Sequence, residues 1–463
     1  MNNDSPHSQA AFPAEFCWGA STSSYQIEGT PTIGNGGQSI WDNFCRREGA
    51  VYGGHTGNVA CDHVRLFRDD VALMRELGLQ AYRFSISWPR VLPGGVGNAS
   101  ESGLAFYDAL VDELLAADIQ PWVTLFHWDS PQELQDRGGW LNPESVEWFA
   151  EYTRLVVERL SDRVAHWFTL NEPQVIVHIG MAQGIHAPGL QLSLADQLLA
   201  AHHLLMAHGR SVQVIREVAK RQPTIGWAPV GITKTPACRR LGDAPEHEIA
   251  AARQATADVA TPDLWNSSWF NDPVFLGEYP EAGLKTYGNA VPKFSESEME
   301  LIATPVDMLG LNIYHSVPVQ PGEEGGYEEV SLPPGHPHTA FNWPVVEESL
   351  YWGPRFHYER YQTPIVITEN GMANVDPQRI DFAARHLECL RQSIADGVDV
   401  RGYFHWSLLD NFEWAEGYSK RFGLVHVDFS SQQRTPKDSA YWYRDVIRSN
   451  GSILTLRAET VAT

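Results

Sequence analysis

The feature that most constrains this chain is a repeated alternation. Short apolar runs rich in β-branched and aromatic residues are each followed by a longer stretch with helical periodicity. Runs at 16–20, 81–85, 122–125, 167–170, 224–228, 308–312, 365–368 and 402–406 read as eight strands. Amphipathic patterns at 70–77, 105–116, 143–160, 194–218 and 380–395 read as helices between them. The strand runs are almost continuously apolar, as parallel strands buried on both faces must be. No internal repeat of roughly 20–50 residues is evident, which sets solenoids and propellers aside. Eight β-then-α units in 463 residues predict a single (β/α)8 TIM barrel over 1–463, with residues 1–11 and 452–463 peripheral. The Gly-, Pro- and Glu-rich stretch 318–340 reads as a surface loop between the sixth and seventh strands.

In such a barrel the C-terminal strand ends form the working face. Arg83, Glu172 and Glu369 fall at the ends of the second, fourth and seventh runs. His127 and Trp128 follow the third, Asn312 and Tyr314 the sixth, and Trp406 closes the eighth. Packing alone does not collect so many polar groups at one end. A carboxylate at the mouth of a buried strand is costly unless it is paired or functional. Either glutamate alone reads equally well as half of an ion pair. Two of them, each beside an asparagine, in a chain with 16 Trp, suggest a carboxyl pair that cleaves sugars.

Composition narrows the partners. With 34 Lys and Arg against 57 Asp and Glu, the net charge of −23 disfavours nucleic acid and anionic membranes. No apolar run reaches the length of a membrane span of about 18 residues. The polar start, residues 1–12, argues against a secretory signal. Cys17, Cys45, Cys61, Cys238 and Cys389 are odd in number and show no paired spacing, so free thiols and a cytoplasmic location are expected. His202, His203 and His208 do not present ligands four apart on one helical face, and His336 and His338 lack a third ligand nearby. No metal, no cofactor and no nucleotide are expected. The expected partner is a small-molecule glycoside, with no nucleic acid and no membrane.

The segments FCWGASTSSYQIEG (16–29), YRFSISWPR (82–90), FHWDSPQEL (126–134), WFTLNEP (167–173), LGLNIY (309–314), IVITENG (365–371), FHWSLLDNFEW (404–414) and GYSKRFGLVHVD (417–428) occur in this order. Together they resemble glycoside hydrolase family 1, the β-glucosidase family, over nearly the whole chain. The resemblance implies a (β/α)8 barrel and a retaining mechanism, with Glu172 as acid/base and Glu369 as nucleophile. It implies catalytic support from Arg83, Asn171, Asn312 and Tyr314, and sugar binding by Gln26, His127, Trp128, Trp406, Glu413, Trp414 and Phe422. Trp343, Gln174 and Met181 would line the aglycone side.

The chemistry asks for two carboxyls in unlike states, one protonated to serve the leaving oxygen and one ionised to attack. Arg83 and Tyr314 suit Glu369 to the ionised role, and the aromatic strand before Glu172 favours its neutral form. Asn171 is expected on the sugar 2-hydroxyl. Glu413 stands where 6-phosphoglycosidases of the family carry serine, and Phe422 where they carry tyrosine; both favour a free sugar, while Lys420 is shared with that branch. Glu172 excludes the thioglucosidase branch, which has glutamine there. Three functions compete: an exo-acting hydrolase, a transglycosidase and a non-catalytic glycan binder. Two intact carboxyls count against the last.

Overall fold

A computed structural model of the chain describes residues 11–30, 35–323 and 325–454. The peripheral character expected for 1–10 and 455–463 lies outside the described residues. Eight strands form a closed barrel: β1 Cys17–Ser21, β2 Ala81–Ser85, β3 Gln120–Phe126, β4 His166–Asn171, β5 Thr224–Ala228, β6 Met308–Asn312, β7 Ile365–Asn370 and β8 Val400–Trp406. Every neighbouring pair is parallel, and β1 closes the circle by pairing with both β2 and β8. The closed barrel with surrounding helices is the expected TIM barrel. Strand β7 runs past its expected end to include Glu369 and Asn370.

Between the strands lie α1 His63–Glu76, α2 Glu101–Ala116, α3 Ser145–Leu160, α4 Leu194–Val218, α5 Ser268–Phe275, α6 Ser349–Tyr361, α7 Asp376–Ala395 and, after β8, α8 Asp438–Arg448. Helices α5 and α6 hold Pro273 and Pro354 inside them, which hid their periodicity in the sequence. The stretch 318–340 is not the plain loop expected. Val317–Pro321 and Tyr327–Glu329 pair antiparallel, and Lys234–Pro236 adds a parallel third strand. Val319 is fully buried and packs in one cluster with Trp352 and Phe356. Val317–Pro321 is the middle strand of this sheet, where proline is unusual, so Pro318 and Pro321 obscured a real strand.

The barrel interior is layered. Ala81, Trp122, Phe168, Ala228, Met308, Val366 and Phe404 form one apolar cluster at its foot. Two glycines make room for its rings. A methyl on Gly226 would lie 2.4 Å from Phe168, and one on Gly19 would lie 2.5 Å from Phe404. The Arg83 guanidinium sits 5.4 Å from the Phe168 ring centroid, at the junction with a polar layer above. Outside the barrel the two described ends meet. Phe12 N donates to Asn450 O at 3.0 Å, Asn450 Nδ2 to Phe12 O at 2.7 Å, and Trp18 Nε1 to Asn450 Oδ1 at 2.9 Å.

Candidate active site

The polar layer is built around Glu369. Its Oε1 accepts from Arg83 Nη1 at 2.6 Å, and its Oε2 from Tyr314 Oη at 2.7 Å. Backbone register explains the placement. Ile367 pairs with Leu311 and Glu369 with Asn312, so β7 carries one extra residue, Thr368, against β6. Such a bulge re-aims the side chains beside it. Thr368 Oγ1 donates to Asn312 Oδ1 at 2.6 Å, which fixes the orientation of that amide.

Glu172 faces this group from the neighbouring wall. Asn312 Nδ2 donates to Glu172 Oε1 at 2.9 Å and lies 3.1 Å from Asn171 Oδ1. The second guanidinium nitrogen of Arg83, Nη2, donates to Asn171 Oδ1 at 2.6 Å. A continuous run of hydrogen bonds therefore links Glu369, Arg83, Asn171, Asn312 and Glu172. Glu172 has a left-handed backbone, φ 45°, and its N–H donates to Ala228 O at 2.8 Å. A non-glycine residue held this way costs on the order of 1–3 kcal/mol and persists only where its surroundings over-determine it. Trp128 and Trp414 share the feature, with φ of 78° and 49°.

The two carboxyls sit in unlike fields. Burial, and after it the charge of Glu369, pushes Glu172 up to about 8, against the pull of Asn312 and Arg83. Burial raises Glu369 as well, opposed by Arg83 first and then by the Tyr314 hydrogen bond. The cation and the phenol contact Glu369, so a proton shared by the pair belongs on Glu172. Burial and the Arg83 charge hold His127 well below the usual histidine range. Neutral His127 accepts from Asn171 Nδ2 through Nε2 at 3.2 Å, and its Nδ1 has no hydrogen-bond partner among the described residues.

Most of the expected sugar-binding side chains gather on one flank. The His127 ring lies 5.8 Å from Trp406 and 5.9 Å from Trp414, within 22° of parallel to each. Trp128 packs on Trp414 at 4.6 Å and donates its indole N–H to Asn171 O at 2.9 Å. Gln26 Nε2 donates to Asn411 Oδ1 and Phe412 O, both at 3.0 Å, and reaches Glu413 Oε2 at 3.5 Å. Burial, with the charges of Glu369 and Glu416, pushes Glu413 up to about 8. On the other flank Trp343 lies 5.6 Å from Tyr314 and stacks on Phe341 at 4.7 Å, with Phe422 6.0 Å from Tyr314.

Two expectations need correction. Gln174 does not line an entrance. It is fully buried, and its amide is spent on the backbone of Val230 and Asn266. Met181 is buried behind Trp128, on a void of about 10 Å³ shared with Trp41, Trp140 and His186. That space is too small for any ligand. Two residues of the site were missed: Thr368, a hydroxyl directly before Glu369, and Phe341, an aromatic two positions from Trp343. Among the described residues no three His, Cys, Asp or Glu side chains are grouped to hold a metal ion, and no helix is long and apolar enough to cross a membrane. All five cysteines are unpaired.

Comparison with known proteins gives a single answer. The model of glycosyl hydrolase family 1 matches residues 8–452. The 1,4-beta-D-glucan glucohydrolase of Thermotoga neapolitana is 42% identical over 455 residues, covering 95% of this chain and 99% of that one. Beta-glucosidase A of Acetivibrio thermocellus is 40% identical, covering 96% and 100%. The structure of the Thermotoga maritima beta-glucosidase with glucoimidazole superposes with a TM-score of 0.86 at 42% identity, covering 95% of this chain and 99% of that one. On profile, identity and coverage alike, the chain belongs to glycosyl hydrolase family 1 and is a retaining glycoside hydrolase.

Proposed function

We propose that this protein is an exo-acting β-glucosidase working as one catalytic unit. It removes terminal non-reducing β-D-glucosyl residues from β-glucosides and short oligosaccharides, such as those left by cellulose breakdown. It does so through a covalent glycosyl-enzyme intermediate, with side activity on β-galactosides and β-fucosides. The observation that carries the reading is the asymmetry of the two carboxyls. Glu369 holds a guanidinium and a phenol, while Glu172 holds only an amide.

Glu369 attacks the anomeric carbon as Glu172 gives its proton to the leaving oxygen. Ester formation consumes the Glu369 charge. The repulsion that added to burial in keeping Glu172 protonated is then gone, and Glu172 becomes the base that draws a proton from water. Gln26, His127, Glu413 and Trp414 hold the glycone, Trp406 forms its floor and Trp128 a wall. Trp343, with Phe341, receives the aglycone. Complexes of the Thermotoga maritima enzyme with deoxynojirimycin and galacto-hydroximolactam support tolerance at the glycone. Unpaired cysteines support the cytoplasm as its location.

The glycone is a free sugar. Lys420 Nζ, the one feature shared with phosphoglycosidases, donates to Ala340 O at 2.8 Å and lies 3.8 Å from Glu416. A phosphate entering beside Glu413 and Glu416 gains no uncommitted cation from it. The test compares kcat/KM for an aryl β-glucoside and its 6-phosphate. The free glucoside should be preferred by about a hundredfold or more. A preference for the phosphorylated substrate sinks the assignment.

A further inference from the structure

The side chain of Asp129 is wholly buried directly after Trp128, in the loop leaving β3, and the chemistry above does not use it. Its Oδ2 accepts from Ser24 Oγ at 2.9 Å. Ser85 Oγ in turn donates to Ser24 Oγ at 3.0 Å and accepts the Ser24 N–H at 2.7 Å. Ser24 opens the single helical turn Ser24–Ile27 that carries Gln26. Ser85 is the last residue of β2, two positions beyond Arg83. Asp129 thus ties the turn after β1 and the end of β2 to the loop after β3.

The connection continues to β4. Trp128 is held in the left-handed region at φ 78°, and its indole N–H donates to Asn171 O, the carbonyl of the peptide that leads into Glu172. A bulky residue keeps such a backbone only where its surroundings over-determine it. One anchor is the indole hydrogen bond; the other is the neighbouring Asp129.

We propose that Asp129 is a positioning residue for glycoside cleavage. It fixes His127 and Trp128 against the Gln26 turn, and through the Trp128–Asn171 hydrogen bond it fixes the peptide carrying Glu172. The proposal rests on the reading of Glu172 as acid/base and of Gln26 and His127 as glycone binders. Ser24 uses the acceptor oxygen and not a charge. The second carboxyl oxygen, Oδ1, has no hydrogen-bond partner among the described residues, and burial pushes the group up to about 7, with the nearby Glu28 charge adding to it and the Ser24 and neighbouring Ser87 hydroxyls opposing it. Glu28 itself is committed to Arg90 and Tyr107. An amide of the same shape therefore keeps the function.

The experiment measures kcat and KM on aryl β-glucosides with good and poor leaving groups for the wild type, Asp129→Ala, Asp129→Asn, Ser24→Ala and the Ser24→Ala/Asp129→Ala double variant, with melting curves to confirm folding. Wild-type turnover tests the reading of the site; without it that reading and this proposal fall together. Given turnover, Asp129→Ala should lose at least about tenfold in kcat/KM, and clearly more on poor leaving groups, because displacement of Glu172 weakens acid assistance. Asp129→Asn should stay within about threefold of wild type. Ser24→Ala should follow Asp129→Ala in direction, and the double variant should be little worse than either. Native constants in folded Asp129→Ala overturn the proposal. So does an equal loss on every leaving group, which marks a merely structural role, or a loss in Asp129→Asn as large as in Asp129→Ala. If Asp129→Ala does not fold, Ser24→Ala decides by the same leaving-group criterion.

Discussion

At the scale of single residues, the site gives two identical side chains different surroundings. Glu172→Ala should show which role its carboxyl plays. A good leaving group departs with little acid assistance, so hydrolysis of poor aryl leaving groups should fall by far more than that of good ones. Azide should restore turnover and yield a β-glycosyl azide; an α-azide product, or a loss blind to the leaving group, counts against the role. The pH profile is set by the same field. As the proposed acid, Glu172 acts in its protonated form and is pushed up to about 8, so kcat/KM on poor leaving groups should decline as pH rises through that region. Glu172→Gln should remove this alkaline limb on good leaving groups. An unchanged limb assigns it elsewhere. The grouping of Arg83, Asn171, Glu172, Asn312, Tyr314 and Glu369 was legible because each closes or follows an apolar run at the same barrel end. Gln174 and Met181 were misplaced because nearness in sequence to the acid does not say which way a chain turns. The left-handed backbone at Glu172 turns the next residues into the protein.

Elements succeed or fail by how tightly they meet. The parallel strands were readable from continuous apolar runs, and helix α4 from its periodicity. Helices α5 and α6 and the small sheet at 317–329 were not, because internal prolines break the patterns that mark them. The bulge at Thr368 leaves no sequence mark at all. It exists only in the register of β7 against β6. The barrel foot makes a sharp prediction. A methyl at Gly226 would also come within 3.0 Å of Met308 while pressing on Phe168. Gly226→Ala should destabilise the protein by about 1–3 kcal/mol, the usual cost of overpacking, visible as a lowered melting temperature. Equal melting temperatures would show that the Phe168 ring yields freely.

For the molecule as a whole, catalytic chemistry is held against stability. Glu172 is ordinary in the unfolded chain and raised in the fold. Below its unfolded value both states are neutral and nothing is lost. As pH rises past that value the unfolded chain ionises first, so stability declines until the folded group titrates near 8. Glu172→Gln removes this penalty. Its melting temperature should exceed the wild type's at about pH 9, with the gap closing toward about pH 4. A constant gap across that range would mean that packing, and not ionisation, sets the difference. The hydrogen bonds between Phe12 and Asn450 carry a consequence of another kind. They close the span from Phe12 to Asn450 into a near-loop, with first and last barrel strands side by side. The order in which the eight units are read from the gene is thus a convention of where the loop is cut. A short bridge across that clasp, with new ends opened in a surface connection away from the cleft, describes the same enzyme with another beginning.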